Sequence, residues 1–120
     1  MCYNWFLQTL SSRFDMALFI DLDEHLVLHG KTIEQHVWER GNVLAEAFNW
    51  VYFGSKTMGE WPADSLVKRF RHRAALPNKH VKVLLDLRMM RARPDLQLVF
   101  CNPHCVHSAK WQCIVPAADV

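Results

Sequence analysis

Hydrophobic and polar positions along the chain follow helical spacing in some segments and strand-like alternation in others. An apolar run bounded by charged residues predicts a buried strand at 17–22. The apolar positions that follow have helical spacing, and Thr32 with Gln35 forms a capping-box sequence, which predicts a helix at about 33–52. The mixture predicts an α/β or α+β fold, with one small domain spanning 1–120, a short sheet and a helical middle segment.

The second half of the chain contains a basic amphipathic segment. Apolar and basic positions fall on opposite sides of a helical wheel over 63–76, which predicts a helix closed by Pro77. Residues 80–92 alternate as a strand would but have the residue types of a helix, and we predict a helix there. The remaining predicted elements are a helix at 3–14, a short strand or an extended exit at 26–28, a buried strand at 96–101 and a strand at 110–116.

Composition is that of an ordinary globular protein, with 51% hydrophobic and 22% charged residues. No apolar run approaches the roughly 18 residues that a membrane-spanning helix needs, and the N-terminus lacks the cationic start of a signal peptide. Four cysteines in a chain with this apolar content do not indicate a disulfide scaffold. We therefore expect reduced thiols and an intracellular, cytoplasmic location.

Charge is distributed unevenly along the sequence. Residues 1–61 carry a net charge of −4, whereas residues 62–94 carry nine Lys or Arg against two Asp, a net charge of +7. Such a segment indicates either an anionic partner, namely nucleic acid or an acidic protein, or simply a solvated helix face. No membrane partner is expected, and the sequence leaves the oligomeric state open. The candidate partner-binding residues are Lys68, Arg69, Arg71, Arg73, Lys79, Lys82, Arg88, Arg91 and Arg93.

Two aspartates spaced i, i+2 follow the predicted strand at 17–22. Asp21 and Asp23 are of the right type to bind magnesium, and one of them could attack a phosphorus atom. The alternative is a hairpin whose polar turn faces water. If the segment were instead helical, His25 and His29 would share a face with Asp21 and form a metal trio.

A second candidate metal site lies near the C-terminus, where five cysteine and histidine residues fall within 13 positions. Their spacing is compatible with structural zinc, but no second matching knuckle is present. We expect ordinary loop residues and buried thiols here instead, and no bound zinc. Magnesium at Asp21 and Asp23 is the one other cofactor that the sequence suggests. The residues are Cys101, His104, Cys105, His107 and Cys113.

The sequence Asp-Leu-Asp-Glu-His-Leu-Val at 21–27 resembles the first motif of the haloacid dehalogenase superfamily of phosphotransferases, Asp-x-Asp-Gly-Thr-Leu-x. The segment 98–102 resembles the second motif, with Cys101 in place of a hydroxyl residue, and 28–31 and 77–81 are similar to phage polynucleotide 3′-phosphatase domains. The resemblance implies that Asp21 is the nucleophile and Asp23 the general acid/base. It further implies magnesium bound by the Asp21 carboxylate and the Asp23 backbone carbonyl.

Two hypotheses about function follow from these observations. The first is a non-catalytic module whose basic helical surface binds nucleic acid or an acidic protein. The second is a divergent magnesium-dependent phosphatase-like domain that acts on a nucleotide or polynucleotide phosphate. Glu24 and His25 replace the Gly-Thr of the first motif, and Lys110 is the only lysine left for the third. Because the catalytic set is incomplete, the sequence favours the binding module.

Overall fold

The computed structural model of the protein describes residues 2–54, 68, 70–102 and 104–108. They form helices and antiparallel sheets, a small α+β fold of the class that the sequence predicts. The helices are α1 (Cys2–Thr9), α2 (Ile33–Arg40) and α3 (Leu87–Ala92), with 3-10 turns at Ser11–Arg13 and Pro94–Leu96. The strands are β1 (Met16–Phe19), β2 (Ala45–Asn49), β3 (Phe53–Gly54), β4 (His72–Arg73), β5 (Val81–Asp86), β6 (Val99–Asn102) and β7 (Cys105–His107).

Strand β5 is the centre of the main sheet, whose strand order is β1-β5-β2. Both neighbours run antiparallel to it, and all six of its residues are buried. The prediction of a helix over 80–92 is therefore wrong for its first half. Backbone pairing on both edges stabilises the strand up to Asp86, where α3 begins, so the alternating pattern outweighs helical propensity there.

One face of the main sheet packs on the hydrophobic core. Val83 and Leu85 of β5 meet Leu7 of α1 and Phe100 of β6, and these residues are almost fully buried. The Asn4 side chain joins α1 to β6, because its amide donates to the Phe100 carbonyl at 2.9 Å and its carbonyl accepts from the Phe100 amide at 2.7 Å. The opposite face of β5 presents Lys82, Leu84 and Asp86, so two of its three buried side chains are charged.

Helix α2 begins as predicted and ends early. Thr32 and Gln35 form both bonds of the capping box. The helix stops at Gly41, whose φ of 69° is unfavourable for other residues. The predicted continuation to residue 52 is wrong, because Ala45–Asn49 pairs with β5 as a strand despite its helix-forming residue types.

Other predicted elements differ from the structure mainly in their bounds. The helix predicted at 3–14 is α1 followed by a 3-10 turn, and the strand predicted at 17–22 ends at Phe19. No strand forms at 26–28. The buried strand predicted at 96–101 is β6, but only Phe100 of its four residues is buried. The strand predicted at 110–116 lies outside the described residues.

Candidate functional site

Asp21 and Asp23 lie in an exposed loop that follows β1. The Asp21 carboxylate contacts the Lys82 ammonium at 3.0 Å, whereas the Asp23 side chain is exposed to solvent. The loop is also closed locally, since the Asp21 amide donates to the Glu24 carboxylate and the Glu24 amide to the Asp21 carbonyl. Within the described part of the chain, no three His, Cys, Asp or Glu side chains are grouped to hold a metal ion. Magnesium binding and the catalytic roles therefore stay predictions.

Lys82 is a buried lysine that ties this loop to the main sheet. Its side chain is only 5% exposed, and its ammonium contacts Asp21 at 3.0 Å and Glu24 at 3.4 Å. The same ammonium lies 5.0 Å from the centre of the Trp50 ring, a cation–π distance. Burial alone would lower the pKa of Lys82, but the two carboxylates outweigh it and raise the pKa. The prediction that Lys82 belongs to an exposed partner surface is wrong.

The arginines of α3 and its C-terminal end are exposed, but each is already paired with an acidic side chain. Arg88 contacts Asp86 at 2.8 Å and Arg93 contacts Asp95 at 3.0 Å. Arg91 contacts Asp15 at 3.4 Å and donates to two backbone carbonyls of the segment that precedes β1. Arg91 therefore links α3 to the segment before β1, and the charge of all three arginines is compensated locally.

The basic segment before β5 is helical at Lys68 and contributes one strand of a two-stranded ribbon at His72–Arg73. Of the helix predicted at 63–76, residues 63–67 and 69 lie outside the described residues, and Lys68 is helical and exposed. Residues 70–76 are not helical, because β4 pairs with β3 and the Ala74 amide donates to the Tyr52 carbonyl at 2.8 Å. Tertiary pairing thus overrides the helical periodicity in this half of the segment.

Three cations on or next to this ribbon differ from those of α3. Arg71, Arg73 and Lys79 are exposed, and none of them makes an ion pair with another residue that the structure describes. Their charge is therefore available to a partner. We call the exposed cations and the two aromatic residues next to them the ribbon surface, which consists of Tyr52, Phe53, Arg71, Arg73 and Lys79.

The two aromatic residues of the ribbon surface, Tyr52 and Phe53, are not among the binding residues that the sequence predicts. Tyr52 is 56% exposed and Phe53 is 50% exposed. Trp50 contributes more to packing, since its ring contacts Tyr52 at a centroid distance of 6.1 Å and His104 at 5.1 Å. Trp38 of α2 is also a surface residue, since it is 87% exposed. Nothing in the sequence separates the packed aromatic residue, Trp50, from the exposed ones.

Among the described residues near the C-terminus, the cysteines and histidines are not grouped as ligands for a metal ion. Cys101 is exposed and free, not buried, and Cys105 is disulfide-bonded, which removes its thiolate as a metal ligand. The His104 ring contacts the Val81 carbonyl at 3.0 Å and packs against His80. Cys113 lies outside the described residues. The disulfide also contradicts the expectation that all thiols are reduced.

The alternative metal trio fails for a different reason. Asp21, His25 and His29 would need a helix, and the segment 21–29 is not helical. Among the described residues, no helix has the length and apolar character to cross a membrane.

The fold and the site define a small α+β domain with a buried lysine, Lys82, paired with loop carboxylates near the start of β5, and an exposed basic, aromatic ribbon beside it. In comparisons with known proteins, no family model, curated protein or solved structure matches the chain. The function is therefore argued from the residues alone.

Proposed function

We propose that the chain is a non-catalytic binding module that engages nucleic acid through the ribbon surface. The observation that carries the proposal is that Arg71, Arg73 and Lys79 are exposed without an acidic partner among the described residues. A phosphate can bind such cations without breaking an existing ion pair, and each contact releases counterions from the nucleic acid. The arginines of α3 would first have to leave their carboxylates.

Nucleic acid is favoured over an acidic protein because of the aromatic residues in the ribbon surface. An acidic protein offers carboxylates, which the cations alone would satisfy. Nucleic acid offers phosphates together with flat aromatic bases, and exposed rings next to cations match both. Phe53 and Arg73 are directly opposite each other across β3 and β4, so a ring and a guanidinium are presented side by side.

The test is a salt titration of binding to fluorescently labelled oligonucleotides, measured by anisotropy. Wild type is compared with the double variant Arg71→Gln, Arg73→Gln. We expect the variant to bind more weakly, and the slope of log affinity against log salt to fall by about 1.4 on single strands, because two phosphate contacts are lost. Circular dichroism and thermal unfolding should be nearly unchanged, because both side chains are exposed.

A matched control removes the same charge elsewhere. Lys31 and Arg93 are exposed and paired with Glu39 and Asp95, so Lys31→Gln with Arg93→Gln changes net charge equally without touching the ribbon surface. This control should bind almost as wild type does. Equal losses in both double variants would mean that net charge and not the ribbon surface governs binding. Preference for polyglutamate over every oligonucleotide would make an acidic protein the partner.

The alternative is a divergent magnesium-dependent phosphatase-like domain that acts on a nucleotide or polynucleotide phosphate. The contact between Asp21 and Lys82 favours it, because an ammonium beside an attacking carboxylate could neutralise phosphate oxygens. However, Lys82 is buried and already paired with two carboxylates. Magnesium or phosphate would have to compete with that ion pair, whereas binding at the ribbon surface needs no such rearrangement.

We also propose a cytoplasmic location, as the sequence suggests. The disulfide at Cys105 argues against it, because reducing compartments rarely maintain structural disulfides. Fractionation of cells that express the tagged chain tests the location directly, and recovery in an oxidising compartment would contradict it.

A further inference from the structure

The ribbon surface presents an aromatic ring on each of its two faces. Phe53 pairs directly with Arg73, so these two side chains project from the same face of the β3–β4 ribbon. Tyr52 is the preceding residue and therefore projects from the other face, where its ring contacts Trp50 edge to face at a centroid distance of 6.1 Å and an interplanar angle of 72°. An incoming chain could thus meet a ring and a cation on one face and a ring pair on the other.

Both rings are exposed to an extent that packing does not explain. Half of the Phe53 surface and more than half of the Tyr52 surface are in contact with water. Scattered exposed aromatic residues are common, but these two are neighbours in sequence and lie beside three cations without ion-pair partners among the described residues. The combination of stacking surface and uncompensated positive charge is typical of sites that bind unpaired nucleotides.

We infer that Phe53 and Tyr52 stack on unpaired bases, and that the ligand class is single-stranded nucleic acid. The inference rests on the proposed function and adds the form of the ligand. Bases in a duplex cover each other's faces, so an exposed ring finds a stacking partner only in a single strand or a loop. Arg71, Arg73 and Lys79 contact the phosphates, which fixes the backbone but contributes no preference between single strands and duplexes.

The experiment compares a labelled 15-mer of deoxythymidine with a duplex of 15 base pairs at one low salt concentration. We expect the wild-type protein to bind the single strand more tightly. Phe53→Leu retains an apolar side chain and removes the stacking ring, so single-strand affinity should fall by about 5- to 150-fold while duplex affinity changes little. Tyr52→Leu should have an effect in the same direction.

The matched control is Trp38→Leu, because Trp38 is an exposed aromatic residue on α2 outside the ribbon surface. It should bind as wild type does. The salt slope separates stacking from phosphate contact: Phe53→Leu should keep the wild-type slope, whereas Arg71→Gln with Arg73→Gln should lower it. Circular dichroism of each variant shows whether it folds.

Two outcomes separate failure of this inference from failure of the proposed function. Equal affinity for single strand and duplex, or no effect of Phe53→Leu, would overturn the stacking inference and leave the basic ribbon surface as a nucleic-acid site. Absence of binding to either oligonucleotide at low salt would overturn both.

Discussion

Replacing Asp86 tests whether a buried carboxylate holds β5 and α3 together. Asp86 accepts hydrogen bonds from the backbone amides of Arg88 and Met89 and so caps α3. The same carboxylate contacts the Arg88 guanidinium at 2.8 Å and the Arg40 guanidinium at 3.9 Å. The Arg40 side chain is 6% exposed, and two of its nitrogens have no hydrogen-bond partner within the described part of the chain. Loss of Asp86 would leave this buried cation less compensated.

The expected loss in the free energy of unfolding follows from these two roles of Asp86. Removal of a helix cap costs about 0.5–2 kcal/mol. Removal of one partner from a buried ion pair costs about 3–5 kcal/mol, but Arg40 still has Glu46 at 3.6 Å, which reduces that loss. We therefore expect Asp86→Ala to lower the free energy of unfolding by about 3–4 kcal/mol. Asp86→Asn can still cap α3, so it should cost about 1 kcal/mol less.

Urea unfolding followed by circular dichroism measures both variants. With a typical slope of about 1–3 kcal/mol per molar, the Asp86→Ala midpoint should fall by roughly 1–4 M. The slope itself should not change, because the same surface is exposed on unfolding. A loss below about 1 kcal/mol in Asp86→Ala would refute the argument that this carboxylate compensates a buried cation.

Acid unfolding gives an independent check on Asp86. Burial alone would raise its pKa, but hydrogen bonds from the Arg88 side chain and the Met89 amide outweigh burial and lower the pKa below the ordinary value of an aspartate. A carboxyl with a lowered pKa in the folded state contributes stability that is complete above its unfolded pKa and is lost as pH falls through the folded value. Below about pH 4, wild type should therefore lose stability more steeply than Asp86→Asn.

The remaining predictions concern Asp21, Lys82 and the cysteines. Magnesium-dependent hydrolysis of a 3′-phosphorylated oligonucleotide should be weak or absent, and robust turnover that Asp21→Asn abolishes would favour the phosphatase hypothesis. Lys82→Met should accelerate hydrogen exchange at the amides of residues 21–24, because the loop loses the cation that its carboxylates contact. Unchanged exchange would contradict the inference that Lys82 anchors this loop. In the folded protein, iodoacetamide should modify Cys101 at once and Cys105 only after reduction, and a chelator should leave circular dichroism unchanged. Stoichiometric zinc with unfolding on chelation would contradict the last expectation.

Local signals predict the start of an element better than its extent. The capping box at Thr32 and Gln35 involves residues three apart, and it forms as the sequence predicts. Whether the chain beyond Gly41 continues as helix or strand depends on β5, which lies about 35 residues away and pairs with Ala45–Asn49. The residue types in β2 favour a helix and carry no information about that pairing, so the prediction of a helix over these residues is wrong.

The candidate site depends on the same kind of distant pairing. Asp21 is recognisable as a candidate functional residue from its spacing with Asp23, but its contact with Lys82 joins positions 61 apart. The predicted amphipathic helix fails at His72 and Arg73 because their backbone groups pair with Phe53 and Gly54. Residue type could suggest a basic partner surface, whereas only the fold distinguishes exposed cations from buried ones.

The distribution of charge in the fold argues most directly for where a partner binds. In the sequence, residues 62–94 form one basic block with a net charge of +7. The fold divides that block: Lys82 is buried against two carboxylates, and the arginines of α3 and its C-terminal end each have an acidic neighbour. The cations on or next to the ribbon, like the exposed Lys68, have no such neighbour among the described residues, so a polyanion would meet less competition there than at α3. For the anionic partner that we propose, local compensation in the fold therefore determines which cations of this block can reach it.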